Sequence, residues 1–291
     1  MIKLNQVIGW QRFTKKLLKY YKGRGEIGQA PYNPTLILKM LLLSYLFNIS
    51  ERQVEEVVND SLSAKCFAGL AASERAPDHS TLTVFKERLI EKEGTKAYEK
   101  LFNEIIEIAQ QKGVRLGKVQ IIDSVHTVAN VNIGKDKARQ KEGKPPRDRD
   151  ACWGVKGEEV VWSNGKPHKE IDYFYGYKDQ VSLNAETGII TSVKPGYGDE
   201  YDGRYLPWLV ERDLKKGIGV ETVAADRGYD DGENHYFLEQ RGINSAIRLK
   251  DSRTQKKDAN KEGWVKLKES REHQEGLKER YKIERKFGEI K

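Results

Sequence analysis

Two acidic residues stand directly after short apolar runs. Asp123 follows Lys118-Val119-Gln120-Ile121-Ile122, and Asp226 follows Val220 to Ala225. Such runs predict strands, and in open α/β sheets chemistry gathers where strands end. If the two strands are parallel neighbours, the carboxylates face one crevice and repel each other. Bound Mg²⁺ removes that repulsion, because hard cations take carboxylate oxygens as ligands. A third carboxylate on a packed helix would complete a two-metal site for in-line phosphoryl transfer, with ions about 3.5–4 Å apart. Glu284 is the candidate. Helical spacing sets Arg280, Glu284 and Lys291 along one side of the last segment, while Ile283 and Phe287 pack toward a sheet. A metal ligand would then lie between two phosphate contacts. Singly, an Asp after a strand is a turn residue and a Glu on a charged helix is a solvated face; the three together carry the chemistry.

The elements that must position these acids begin near residue 118, where the pattern changes. Tyr173 to Leu183 and Ile189 to Val193 alternate and are linked by Ala185-Glu186-Thr187-Gly188, which predicts a hairpin. A helix near 203–215, the strand before Asp226, a helix over 231–241 stopped by Gly242, and a strand Ile243–Ile247 follow. A basic segment, 248–271, precedes a final helix from about 275. The order is that of a mixed sheet with flanking helices. Residues 132–170 are rich in Gly, Lys, Arg and Pro and are expected to be a long loop or insertion. Its Trp153 and Trp162 could stack on unpaired bases, as aromatic side chains do in single-strand binding, or belong to a disordered basic loop. His126 is read as a local packing residue or a substrate contact, and Asp230 as a helix cap.

Residues 1–117 read as helical. Trp10, Phe13, Leu17 and Tyr21 recur at helical spacing, with Lys15, Lys16 and other basic residues on the remaining faces. The basic helix is either a solvated surface or a backbone-phosphate contact. Asn33 and Pro34 start a helix that is apolar nearly all round through Phe47. Ser50 and Gln53 form a capping box, and Val54, Val57, Val58 and Leu62 give the next helix its core face. The pair is a plain packing unit or a helix-turn-helix. Pro77-Asp78-His79-Ser80-Thr81 caps another helix, with His79 a turn residue.

Composition narrows the classes. The chain has 291 residues, 37% hydrophobic and 33% charged, with 52 Lys+Arg against 44 Asp+Glu. The excess of +8 is concentrated in residues 1–25 (+7), 132–150 (+3) and 248–271 (+5), leaving an acidic remainder. Three basic segments on an otherwise acidic chain point to a polyanionic partner. Cys66 and Cys152 are the only cysteines, so there is no disulfide framework or clustered-Cys zinc site. Leu36–Phe47 is too short and too interrupted, by Lys39, to span a bilayer, and the N-terminus has no signal-peptide core. A soluble protein of a reducing compartment, without a membrane partner, is expected.

The chain resembles bacterial insertion-sequence transposases of the DDE type, and the likeness covers most of its length. It rests on Tyr32-Asn33-Pro34, Ser50-Glu51-Arg52-Gln53, Asp60-Ser61-Leu62, Phe67-Ala68-Gly69-Leu70 and Pro77-Asp78-His79-Ser80-Thr81 with Phe85 and Arg88. It continues through Ile122-Asp123-Ser124, Gly176-Tyr177-Lys178, Ala225-Asp226-Arg227-Gly228-Tyr229 and an R-x3-E-x6-K signature at Arg280, Glu284 and Lys291. The resemblance implies an all-helical DNA-binding and dimerisation domain over 1–117. A ribonuclease H-like mixed-sheet catalytic domain would follow over 118–291, with the basic insertion at about 132–170. It implies Asp123, Asp226 and Glu284 as metal-binding acids for Mg²⁺, with Mn²⁺ as a substitute, and Arg280 and Lys291 as contacts near the cleaved phosphate. Lys178, Arg227, Lys256, Lys257, Lys15 and Lys16 are further expected DNA contacts. About six to ten such contacts would cost roughly 10³–10⁵ in affinity between 50 and 200 mM salt.

The implied activity is cleavage of element ends and their joining to target DNA, by a homodimer in the bacterial cytoplasm, associated with the nucleoid. The signature has Leu277 where an aromatic is frequent, and it ends on Lys291, where relatives usually continue. Two alternatives are therefore a truncated or inactive DNA-binding relative and a ribonuclease H-like nuclease without strand transfer.

Overall fold

Caps and apolar stripes start the helices of the N-terminal half. In the computed structural model, which describes residues 2–21, 30–163, 166–255 and 259–290, the chain divides into two compact units, Met1–Val114 and Arg115–Lys291. The first contains α1 (Ile2–Val7), α2 (Trp10–Leu18), α3 (Pro34–Phe47), α4 (Glu51–Asp60), α5 (Leu62–Ala68), α6 (His79–Glu93) and α7 (Lys96–Gln111). The Asn33 side chain accepts the Thr35 N–H at 2.9 Å, and Pro34 fills the first position of α3. Phe13 and Leu17 of α2 meet Leu36, Ile37 and Met40 of α3, Val54 and Val58 of α4, and Leu82, Phe85 and Leu89 of α6 in one core.

Lys39 is buried in that unit, its ammonium 4.7 Å from the Trp10 ring centroid and 5.5 Å from that of Phe67. Burial holds its pKa below the usual lysine value. Leu62 departs from expectation. Ser61 ends α4 and caps α5 by accepting the Ala64 N–H, so Leu62 opens a new helix and is exposed instead of continuing the core face of α4.

The second unit is built on β1 (Val119–Val128), α8 (Ile133–Lys141), β2 (Cys152–Ser163), β3 (Lys166–Asn184), β4 (Ile190–Tyr197), α9 (Leu206–Lys215), β5 (Thr222–Ala225), α10 (Gly232–Glu239), β6 (Asn244–Ile247), α11 (Lys261–Glu269), α12 (Arg271–Glu279) and α13 (Tyr281–Ile290). The sheet order is β2-β3-β1-β5-β6, with β4 also on β3. The long β3 explains the double neighbour: Lys166–Gly176 pairs with β2, and Tyr177–Leu183 pairs with β4. β1 is antiparallel to β3 and parallel to β5, and β5 is parallel to β6. Three antiparallel strands followed by two parallel ones, with helices on both faces, form a ribonuclease H-like mixed sheet.

Alternation along the strands splits the core into two layers. Ile122, Val223, Ala225 and Ile247 pack with Leu206, Leu209 and Val210 of α9 and Leu238 of α10. Ile121, Leu183, Ala224 and Ala246 pack with Ile283 of α13. Helix α12 lies close on the same face through Gly276, where a Cβ would come within 2.5 Å of Ala246 Cβ and 3.1 Å of Thr222 Cγ2.

The segment 132–170 is not one long loop. Asn132 caps α8 by accepting the Lys135 N–H at 3.0 Å, and buried Asp136 accepts the Arg147 N–H at 2.8 Å, closing the following turn. Cys152–Ser163 then forms β2. Its alternation is hidden in the sequence because a bulge between Val155 and Gly157 shifts the phase. The final helix is likewise divided, with Arg280 between α12 and α13. Among the described residues no helix is long and apolar enough to cross a membrane.

Candidate active site

The parallel pairing of β1 and β5 decides where the first two acids meet. Ile122 stands opposite Ala225, so Asp123 lies beside Asp226. β1 does not end at Asp123 as its apolar run suggests but continues, paired with β3, to Val128, and only Asp226 follows a strand end. β5 stops at Ala225, and Asp226, in extended conformation, opens a single turn in which its carbonyl accepts the Tyr229 N–H at 3.0 Å. The Arg280 guanidinium reaches both carboxylates, 3.7 Å from Asp123 Oδ2 and 3.3 Å from Asp226 Oδ1. Arg280 is mostly buried at the α12–α13 junction, and its Nε is buried without a hydrogen-bond partner. Burial pushes the Asp123 carboxyl up to about 6; the Ser124 N–H at 2.8 Å and Arg280 oppose this, while the charges of Asp226 and Asp202 add to it.

This donor set fits an oxygen-liganded divalent cation. Two carboxylates side by side, one within β1 and one just past the parallel β5, are balanced here by one cationic side chain at long ion-pair distances, and one of them is held well above its ordinary range. Glu284 is placed differently. It is exposed on α13, one turn past Arg280. Among the described residues the three acids do not form a group with ligand atoms within 4.8 Å of one another; the group that does is Glu55, Asp78 and His79 of the helical unit. The structure thus brings two of the three acids together around Arg280 and leaves the third at the surface.

The expected DNA contacts fall into different settings. Lys178 is largely buried, with Nζ 3.3 Å from Asp202 Oδ1 and donating to the Glu200 carbonyl at 3.3 Å. Arg227 is at the surface, 3.3 Å from Asp251. Lys15 is exposed, whereas Lys16 and Arg12 converge on Glu104, a buried acid of α7. Lys256, Lys257 and Lys291 lie outside the described residues. The His126 ring packs 5.0 Å from that of Phe174. Asp230 is not the cap of α10; that is Asp231. Asp230 is buried and binds the Lys250 N–H at 2.6 Å, His235 Nε2 at 3.0 Å and Arg253 Nε at 3.2 Å.

Three further residues beside the acids escaped the sequence reading. Buried Tyr229 donates its hydroxyl to Gln180 Oε1 at 2.7 Å, and Gln180 Nε2 donates to Asp202 Oδ1 at 2.6 Å. Burial, then the charges of Asp202 and Asp123, push the Tyr229 phenol well above its usual value. The chain ties the turn that carries Asp226 to β3, the neighbour of the strand that carries Asp123. Tyr229 lies in a motif quoted from sequence, but its partners are distant in the chain and only the β1–β3 register brings them near.

A ribonuclease H-like sheet with paired carboxylates, one within and one just past its two central parallel strands, defines a class of nucleic-acid-processing domains. A family model described as "Transposase DDE domain" matches residues 117–291, and one described as "Transposase domain (DUF772)" matches residues 1–88. The chain belongs to the DDE transposase family. Among solved structures it is similar to a piggyBac transposase synaptic complex with hairpin DNA, at 13% identity and TM-score 0.38, covering 92% of this chain and 51% of that one. It therefore spans about half the length of that transposase. It is also similar to the Mos1 transposase paired-end complex with the left transposon end, at 10% identity and TM-score 0.25 over 97% of this chain and 84% of that one. The Mos1 mariner paired-end complex with Mn matches at 11% identity and the same TM-score and coverage.

Proposed function

We propose that this protein is a DNA transposase that cleaves the ends of its element and joins them to target DNA. The observation that carries it is the meeting of Asp123, within β1, and Asp226, just past the parallel β5, under Arg280, in a chain of this family. Asp123, Asp226 and Glu284 would hold divalent cations, Mg²⁺ with Mn²⁺ as a substitute. When bound, such cations supply charge stabilisation at the phosphodiester and a nucleophile at neutral pH.

The chain's own residues do the rest. The carboxylates at Asp123 and Asp226 are fixed by the strand pairing and by the Tyr229–Gln180–Asp202 chain, so little reorganisation is needed at reaction. Arg280, released from balancing the two acids, engages the phosphate beside the cut, with Lys291 further along the same side. Lys178, Arg227, Lys256, Lys257, Lys15 and Lys16 would contact duplex DNA of the terminal repeats and target. Water attacks first and the liberated 3′-OH second, with no covalent enzyme intermediate. Two ends require two sites, hence a homodimer, acting at the bacterial nucleoid. The exposed position of Glu284 favours a second reading, a DNA-binding relative that does not cut.

Incubation with candidate element-end DNA, in Mg²⁺ against EDTA, tests both. Cation-dependent cuts with joined products support the transposase, cuts without joining a nuclease, and binding without cuts the inactive relative. Asp226→Asn is expected to bind DNA and not cleave it; full cleavage by that variant removes Asp226 from the site.

A further inference from the structure

The β2–β3 ribbon has an apolar face that nothing in the catalytic reading uses. β3 pairs with β1 only as far as Gly176, the partner of Val128, and then runs on through Lys166 beside β2. At about 3.3 Å per residue, that extension reaches roughly 30 Å beyond the end of β1. The run is past the C-terminal end of β1, Val128, five residues beyond Asp123. Cross-strand partners share a face, and the pairs Trp153–Tyr175, Val155–Tyr173, Val160–Lys169 and Trp162–Pro167, with Ile171 between them on β3, keep one face through the bulge. The opposite face carries Lys166, His168, Glu170 and Asp172, with Lys156 3.2 Å from Asp172.

At its root the first face is covered, Tyr175 packing with Ala129 and Ala151 and Lys137 lying 5.0 Å from the Trp153 ring centroid. Beyond the root it is open. Trp153, Val155, Val160, Trp162, Ile171 and Tyr173 are between 41% and 70% exposed.

We propose that this face is an interface with a second copy of the chain, ribbon against ribbon across a two-fold axis. The chemistry selects protein over DNA. Aliphatic and aromatic positions dominate the face, and among its described strand positions Lys169 is the only lysine or arginine, with Lys137 added at the root, whereas a polyanion needs many cations. This reassigns Trp153 and Trp162, which in sequence could equally stack on bases. The face is also self-complementary, as an isologous contact requires.

The area suffices. Aromatic side chains bury about 150–250 Å² each, so three of them with three aliphatics, at these exposures, leave on the order of 500 Å² uncovered. Two such faces give roughly 1,000 Å², the lower bound of a specific interface. A two-stranded ribbon alone is only marginally stable in water, so the pairing also supports the arm itself.

For its purpose the interface rests on the transposase reading, which needs two active sites for two ends. Its test contains no DNA, so the two fail separately. Sedimentation velocity of the full chain should show a dimer at micromolar concentration. Val160→Lys and Ile171→Lys should each weaken dimerisation by about 30-fold or more, as hot-spot substitutions do. Both replace exposed side chains, and unchanged far-UV circular dichroism and melting temperature will show that they fold. Glu170→Ala, on the opposite face, should leave the dimer intact. A wild-type monomer at all concentrations overturns the proposal, including the case in which hydrogen exchange finds the ribbon covered by the chain's own residues. So does a dimer that survives both lysine variants, or one that Glu170→Ala weakens equally.

Discussion

Glu55, Asp78 and His79 in the helical unit have ligand atoms within 4.8 Å of one another, closer than the acids of the sheet unit, yet their lone pairs are already used. Glu55 Oε2 accepts the His79 backbone N–H at 2.9 Å and lies 2.8 Å from His79 Nδ1. Asp78 accepts the Ser80 N–H at 2.7 Å as the cap of α6. The His79 bonds hold Glu55 below the ordinary carboxylate range, and the Ser80 bonds do the same for Asp78. Asp123 also accepts an N–H, that of Ser124 at 2.8 Å, yet burial still pushes it up to about 6, and the Arg280 guanidinium is shared between it and Asp226. Proximity of acids is therefore a poor guide to chemistry. Satisfied acids clasp helices together, and acids held at a cost mark the reacting site.

The comparison can be broken in four ways. Asp226→Asn carries the largest effect, a loss of roughly a thousandfold in cleavage, ~4 kcal/mol of transition-state stabilisation, with binding retained in a gel-shift assay. Gly276→Ala forces a methyl group against Ala246 and Thr222, which should cost about 1–3 kcal/mol in denaturant unfolding and slow cleavage by displacing the helix that delivers Arg280. An unchanged midpoint would show that α12 can shift freely.

Arg280→Ala leaves two half-buried carboxylates facing each other, costing about 1–2 kcal/mol without divalent cations. Added Mg²⁺ should then raise its melting temperature more than that of the wild type; an equal rise would mean that Arg280 and the cation do not share the site. Glu55→Gln is the smallest, ~1 kcal/mol or less, with cleavage and the Mg²⁺ response unchanged. Its pH dependence has a definite sign. Glu55 is depressed in the fold, so its contribution is present above the ordinary value of 4.5 and is lost as pH falls through the lower, folded value. On acidification below 4.5 the wild type should therefore lose its stability advantage over Glu55→Gln, and the two should converge at lower pH. If chelators destabilise the wild type through Glu55, the clasp is instead a metal site.

Local signals in the sequence located the elements. The Asn33–Pro34 start, the Ser50–Gln53 box and the apolar runs ending at Asp123 and Asp226 are short-range chemistry, written in adjacent residues. β2 was illegible because its bulge breaks the period-two pattern on which a strand is recognised. The division of the last helix at Arg280 was illegible because it follows from how α12 and α13 pack on the sheet.

What the amino-acid order determined alone was which residues cap, which alternate, and which carry charge after a strand, since each depends on neighbours within a few positions. Tertiary structure alone decided that Arg280 lies between Asp123 and Asp226, that Tyr229, Gln180 and Asp202 join hands beneath them, and that Trp153, Val155, Val160 and Trp162 share one open face. Each of those outcomes depends on strand register and helix placement, and register is fixed only when the whole sheet buries its two faces at once.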